Sequence, residues 1–183
     1  MFARMLSKAS ICSRGGVIEF GSNIGLNIFA LKRLLPSINC VSAIEINKLA
    51  VETLAERYKT AFGNEIKCYN SSILDWSPDY TRELVLISGV LIHINPDYLQ
   101  SVYEKLYQTS NKYILIAEYY NPTPVEVVYR GNTGKLFKRD FAGEMLDKYP
   151  YLHLLDYGFI YHRDNIFPAD DITWFLLEKR SVK

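Results

Sequence analysis

The chain predicts an α/β fold: a doubly wound, mostly parallel seven-stranded sheet that ends in an antiparallel hairpin. Three observations carry that prediction. Short apolar strands alternate with amphipathic helices as far as Tyr120, a glycine loop joins the first strand to the first helix, and two long strand patterns close the chain. The linker between those last strands, His162 to Asp171, has no helical pattern and is too short for a parallel crossover, so they pair antiparallel.

Val17–Phe20, Val41–Glu45 and Ile66–Tyr69 read as the first three strands. Their period is echoed by Cys12, Cys40 and Cys68, which lie 28 residues apart each time, close to one strand-plus-helix unit. No His or second Cys stands near any of these at metal spacing, so they read as three buried thiols and no metal site. The first helix carries Leu26, Ile28, Phe29, Leu31, Leu34 and Leu35 and stops at Pro36. The second starts after Asn47, a suitable N-cap, and lines up Leu49, Ala50, Leu54, Tyr58 and Phe62 before Gly63. Leu84–Ser88 and Tyr113–Glu118 are near-continuous apolar runs, as expected of strands covered on both faces, and Pro96-Asp97 opens the helix between them. Phe141–Tyr149 predicts a last helix, and Leu152–Tyr161 and Ile172–Lys179 the closing hairpin.

A length of 183 residues with 49% hydrophobic and 22% charged side chains describes one domain, 1–183, with an N-terminal helix over 1–14 and an insertion over 121–150. Its 21 basic and 20 acidic residues leave a formal charge of +1, which supplies no long-range field for nucleic acid or an anionic membrane. The longest uncharged apolar stretch, Leu84 to Ile92, is far below the roughly 20 residues of a membrane span. No secretory leader is evident at the N-terminus, so free thiols point to the cytoplasm. The reading is of a small-molecule enzyme, with neither nucleic acid nor membrane as partner and a homodimer left open.

Glu19, Gly21, Asn23 and Gly25 end the first strand and open the first helix, where an open α/β sheet binds ligands. The spacing Gly21-x-x-x-Gly25 departs from the dinucleotide fingerprint because Asn23 stands where a glycine is usual; Asn tolerates left-handed angles but leaves a pyrophosphate less room. Glu45 ends the second strand at the spacing where a carboxylate accepts hydrogen bonds from both ribose hydroxyls.

VIEFGSNIG, AIEIN, NSSILDW and ELVLISGVLIHI, with the closing hairpin, resemble the successive motifs of class I S-adenosylmethionine-dependent methyltransferases, over Ile11 to Lys183. GSNIGLN, SGVLIHINP, EYYNPTPVEVVYRG and GKLFKRDFAGEML are most similar to the methylases associated with pseudaminic acid biosynthesis. The resemblance implies S-adenosyl-L-methionine as cofactor, with Glu19, Gly21, Asn23 and Gly25 beneath its methionine half. Glu45 would hold the ribose, with Ile46 beside the adenine and Ser72 and Ile73 at its edge; Asp75 either receives the adenine amino group or caps the loop before Trp76. Ser88 and Gly89 line the methyl-transfer chamber. His93 there is either a base toward the acceptor or a backbone-bonded histidine, with Tyr119 and Tyr120 as the other catalytic candidates.

Asn121, Arg130 and Arg139 belong to the insertion where this superfamily builds its acceptor site. The cations predict an anionic acceptor, and the resemblance implies a carbohydrate-derived one, such as a sugar nucleotide or a nonulosonic acid intermediate. Two rivals stand beside this reading: an NAD-dependent dehydrogenase or epimerase on the same loop, and a catalytically idle methyltransferase-like module. The second is favoured by a chain that begins almost at its first strand, where related enzymes carry a longer arm.

Overall fold

In a computed structural model of the chain, residues 1–12, 15–166, 168 and 170–180 are described. Five strands and three helices follow in turn, with no helix between β3 and β4 among the described residues: β1 (Val17–Phe20), α2 (Leu26–Leu34), β2 (Val41–Glu45), α3 (Lys48–Phe62), β3 (Lys67–Asn70), β4 (Arg82–Ser88), α4 (Pro96–Thr109) and β5 (Ser110–Glu118). A short helix α1 (Phe2–Lys8) precedes them. A small antiparallel pair β6 (Val125–Glu126) and β7 (Phe137–Lys138), helix α5 (Phe141–Lys148) and the hairpin β8 (Leu152–Ile160) and β9 (Ile172–Lys179) follow.

Among the described residues the main sheet orders as β3-β2-β1-β4-β5-β9-β8. β1 to β5 pair in parallel, and β9 inserts antiparallel between β5 and β8, as the linker length required. The order reverses between β1 and β4, and this switch point opens a crevice above their carboxyl ends.

Alternation along the buried strands feeds two cores. Val85 and Ile87 of β4 join Ile18, Phe20, Leu99, Tyr103 and Met145 on one face, and Leu84 and Leu86 join Met5, Ile28, Leu54, Tyr58 and Leu115 on the other. Asn47 caps α3 as expected, its Oδ1 accepting the N–H groups of Leu49 and Ala50 at 3.0 and 3.4 Å. Gly63 closes the same helix in the left-handed region.

Three expectations are corrected. Leu49 is 73% exposed and Leu26 65%, because the buried stripes run through Ala50, Leu54 and Tyr58 and through Ile28, Phe29 and Leu31. The N-terminal helix ends at Lys8: Ala9 is extended, and the next backbone is drawn toward the sheet by Ser10 N–H donating to the Tyr113 hydroxyl and Cys12 N–H to Glu83. Ser13 and Arg14 lie outside the described residues. Cys12 is exposed and Cys40 and Cys68 half-buried, since all three sit at or before strand starts rather than in the packed middle of the sheet.

At the sheet's other end Arg82 is fully buried. Its guanidinium donates to Asp79 at 2.5 Å, the Tyr80 carbonyl at 2.6 Å and the Tyr69 hydroxyl at 2.9 Å, and it lies 3.6 Å from the Tyr80 ring centroid. Burial pushes the Asp79 carboxyl up, but hydrogen bonds from Tyr69, Arg82 and Lys67 outweigh it and hold the group well below the usual range. Asp79→Ala is expected to cost about 2 kcal/mol, below the usual cost of breaking a buried pair because Asp79 is partly exposed. Urea unfolding measures it, and an unchanged midpoint would show that Tyr69 and Tyr80 suffice for the buried cation.

Candidate active site

The loop after β1 alternates left-handed residues: Gly21 at φ +72°, Asn23 at +47° and Gly25 at +81°. Gly21 and Ser22 both donate their N–H to the Ile44 carbonyl, which ties the turn to the end of β2. A Cβ at Gly21 would fall 2.5 Å from Val90, and one at Gly25 would fall 2.2 Å from Leu54, so each glycine is set by close packing as well as by backbone angle. Asn23 keeps the turn as expected, with its side chain exposed.

Glu45 links this loop to the next helix. One carboxylate oxygen accepts Asn23 N–H at 2.8 Å and the other Asn47 N–H at 2.8 Å. Each oxygen retains a further lone pair, so the group can still accept from two vicinal hydroxyls. It stands at the edge of a cleft of about 410 Å³. Gly21, Asn23 and Glu45 form one wall, Ile46 and Asn47 a second, Ser71, Ser72 and Ile73 a third, and Gly89, Val90, His93 and Ile94 the end. Ile46 leaves 71% of its surface exposed there, an apolar face for a flat ring.

A second cavity of about 230 Å³ adjoins the first, and Gly89 and His93 line both. Its other walls are Ile92 from the single helical turn after β4, Glu118 and Tyr119 at the end of β5, Tyr129 and Leu136 from the insertion, and Asp170 and Ile172 at the entry to β9. His93 Nδ1 lies 2.9 Å from the Lys135 carbonyl oxygen. A carbonyl only accepts, so Nδ1 carries the proton and neutral His93 holds its lone pair on Nε2.

Two carboxyl groups are buried beside these cavities. Burial pushes Glu19 up to about 8, against a hydrogen bond from Asn27, with Glu45 adding to the rise. Burial likewise pushes Glu118 up to about 7, against N–H donation from Val90 and Leu91 at 2.9 and 3.0 Å. In each, Oε2 has no partner among the described residues.

The expected residues divide. Gly21, Asn23, Glu45, Ile46, Ser72, Ile73 and Gly89 line the cleft, and His93 and Tyr119 line the inner cavity. Glu19 sits one layer beneath the loop, and Gly25 packs on Leu54. Ser88 ends β4 in register with Ala117 and lines neither cavity. Asp75 is exposed, stands outside both linings, and donates its backbone N–H to the Ser72 carbonyl in the turn before Trp76. Tyr120 lines a neighbouring recess with Lys138, Phe159 and Tyr161. Asn121 holds its own loop by donating to the Thr123 carbonyl at 2.5 Å.

Arg139 is corrected as an acceptor ligand, because its Nε donates to Glu144 at 2.6 Å and lines neither cavity. Arg130 is exposed over the outer side of the insertion, 5.2 Å from the Tyr129 ring, and lines neither cavity either. Sequence reasoning missed Glu118, Tyr129 and Asp170. For Glu118 a signal existed: like Glu19 and Glu45, it is an acid near the carboxyl end of an apolar strand.

The donor set fits an adenosyl cofactor on three counts: a carboxylate with paired free lone pairs at a nucleoside-sized cleft, an apolar ledge at Ile46, and a buried acid beneath the loop with one oxygen unpartnered. No group of three metal-ligating side chains occurs among the described residues, and no helix there is long and apolar enough to cross a membrane.

No protein-family model matches the chain, and no curated protein matches it by sequence. Solved structures do. The N-methyltransferase NodS from Bradyrhizobium japonicum superposes with a TM-score of 0.73 at 13% identity, over 98% of this chain and 92% of that one. The 1,6-didemethyltoxoflavin-N1-methyltransferase from Burkholderia thailandensis, with bound 1,6-didemethyltoxoflavin and S-adenosylhomocysteine, gives 0.71 at 10% identity over 90% and 71%. Magnesium protoporphyrin IX methyltransferase from Synechocystis, with S-adenosylmethionine bound, gives 0.66 at 11% identity over 97% and 76%. The strand order, the switch-point crevice and the antiparallel β9 thus give this chain the fold of the class I S-adenosylmethionine-dependent methyltransferases.

Proposed function

We propose that the protein transfers a methyl group from S-adenosylmethionine to a nitrogen or oxygen of a small polar acceptor. The observation that carries this reading is the junction of the two cavities: a nucleoside-sized cleft beside Glu45 meets a smaller polar chamber at Gly89 and His93. Glu45 accepts from the ribose hydroxyls, the Gly21–Asn23 backbone passes beneath the methionine half, and Ile46, Ser72 and Ile73 flank the adenine. Glu19 lies under the loop with one oxygen unpartnered among the described residues. The cofactor, when bound, supplies an activated methyl on a sulfonium. Within the chamber the protein aligns the acceptor, which is catalysis by positioning. His93, whose free lone pair is on Nε2, takes the acceptor's proton as the base this reading assigns to it.

A carbohydrate-derived acceptor is supported by the sequence resemblance. Its anionic form loses the support expected of Arg130 and Arg139, which stand outside the chamber. Free thiols at Cys12, Cys40 and Cys68 support the cytoplasm, and exposed Tyr157, Phe159 and Tyr161 at the open sheet edge support a homodimer. A dinucleotide enzyme is disfavoured by the Asn23 side chain where a pyrophosphate needs room, and an idle module by a chamber furnished with His93, Glu118 and Tyr119.

S-Adenosylhomocysteine at 100 times its Kd is expected to raise the Tm by roughly 5–10 °C, from about 2.7 kcal/mol of linkage, and NAD to leave it unchanged. Glu45→Ala should weaken that binding roughly 10- to 100-fold, the scale of hydrogen bonds to a charged acceptor. A flat melting response to millimolar S-adenosylhomocysteine removes the methyltransferase reading.

A further inference from the structure

Among the described residues the inner chamber is lined by two acids and by no lysine or arginine. Lys138 lies 5.1 Å from the Tyr119 ring centroid but lines the neighbouring recess. Arg139 is paired with Glu144, and the backbone carbonyl of Lys135 is what meets His93. Glu118 is 97% buried at the chamber wall, where Oε1 accepts from Val90 and Leu91. Its second oxygen has no partner among the described residues. A buried, half-satisfied carboxyl is costly to fold, and a ligand that completes it recovers that cost on binding. Asp170, exposed at the chamber's entrance, adds a second carboxylate to a setting that suits a cation.

We propose that the chamber takes an acceptor bearing an amine, and that Glu118 is the catalytic residue that binds the amine and receives its proton at Oε2. The proposal rests on the methyltransferase reading and names its substrate class. Asp170 attracts the amine as its ammonium form. Inside the chamber, burial disfavours the separated charges of an ammonium and a carboxylate and favours the neutral pair. A proton therefore passes from nitrogen to Glu118 Oε2: the N–H bond breaks, an O–H bond forms, and the bonding pair stays on nitrogen. That lone pair is the nucleophile methyl transfer needs. The elevation of the Glu118 carboxyl to about 7 matches this duty, since the group can take a proton near neutrality. His93 Nε2 remains free for the second proton, which the nitrogen releases after methylation.

Three probes of one shape and different charge test the proposal: benzylamine, benzyl alcohol and benzoate, titrated calorimetrically into the full chain saturated with S-adenosylhomocysteine. Benzylamine is expected to bind at least tenfold more tightly than benzoate. In Glu118→Gln the amide oxygen can still accept from Val90 and Leu91, so the fold and the S-adenosylhomocysteine affinity should hold within about twofold. The preference for the amine over benzoate should fall below threefold, with benzyl alcohol unchanged. Asp170→Asn, at an exposed position, should reduce the preference two- to threefold and decides the matter if Glu118→Gln does not fold. Benzoate binding as tightly as benzylamine, absence of benzylamine binding, or a preference that survives both substitutions overturns the proposal. Failure of the wild-type chain to bind S-adenosylhomocysteine overturns instead the methyltransferase reading beneath it.

Discussion

Gly89→Leu is expected to abolish binding of adenosyl ligands while leaving a folded chain. Gly89 follows β4, sits at φ +65° and donates its N–H to the Ala117 carbonyl at 3.0 Å, so its position is fixed by β5. A Cβ there meets nothing within 4 Å, and the residue lines both the cleft and the chamber. A leucine side chain would therefore occupy the junction through which cofactor and acceptor must meet. The affinity for S-adenosylhomocysteine should fall at least about 100-fold, about 2.7 kcal/mol. The left-handed backbone should cost a further 1–2 kcal/mol of stability, roughly. Gly63→Leu supplies the control, because Gly63 has φ +70° and open space around it but caps α3 away from both cavities. It should show the same loss of stability with wild-type affinity. Calorimetry on the two variants separates strain from obstruction, and wild-type affinity in Gly89→Leu would move the binding site elsewhere.

The parts of this site legible in the sequence are those fixed by local chemistry. Gly21, Asn23 and Gly25 are residues that accept positive φ, and their positions follow from a turn that must leave β1 and enter α2 at once. Glu45 was visible because it ends a strand, and Asn47 because it precedes an apolar helical stripe. The closing hairpin was visible because its linker is short; His162 clamps it by bonding Asp171 across the loop.

The parts that were hidden depend on contacts distant in the chain. In the sequence Arg139 reads as a free cation, with Asp140 as its adjacent acid. Asp140 in fact caps α5 by accepting Gly143 N–H, and Glu144, one helical turn on, meets the arginine. Glu118 was read as the end of a strand. Its contact with the site emerges only once parallel pairing of β4 with β5 brings the loop after β4 onto its carboxylate. Tyr129 and Asp170 come from the insertion and from the turn before β9, and no periodicity connects those segments to the crevice.

Stability is expected to fall as pH rises through neutrality, the reverse of ordinary acid denaturation. Glu19 is raised by burial from 4.5 to about 8 and Glu118 to about 7, so the folded chain binds protons that the unfolded chain has already released. A group raised on folding stabilises fully below its unfolded value and loses that contribution as pH climbs to its folded value. The window therefore runs from about 5 to 8. Each extra proton held by the folded state lowers stability by about 1.4 kcal/mol per pH unit. Glu19 alone should remove about 3 kcal/mol between pH 5.5 and 7.5 on this scale, and Glu118 adds to the slope below 7. Carboxylates held low, such as Asp79, are charged in both states across this window and leave the slope unchanged. Glu19→Gln keeps an acceptor for Asn27 and removes the titration, so it should flatten the profile by about one proton's slope. Urea unfolding at pH 5.5, 6.5, 7.5 and 8.5 reads both chains. Wild-type stability that is level or rising across that range would mean that Glu19 and Glu118 are solvated in solution, and the crevice above β1 and β5 would then be wetter than its packing implies.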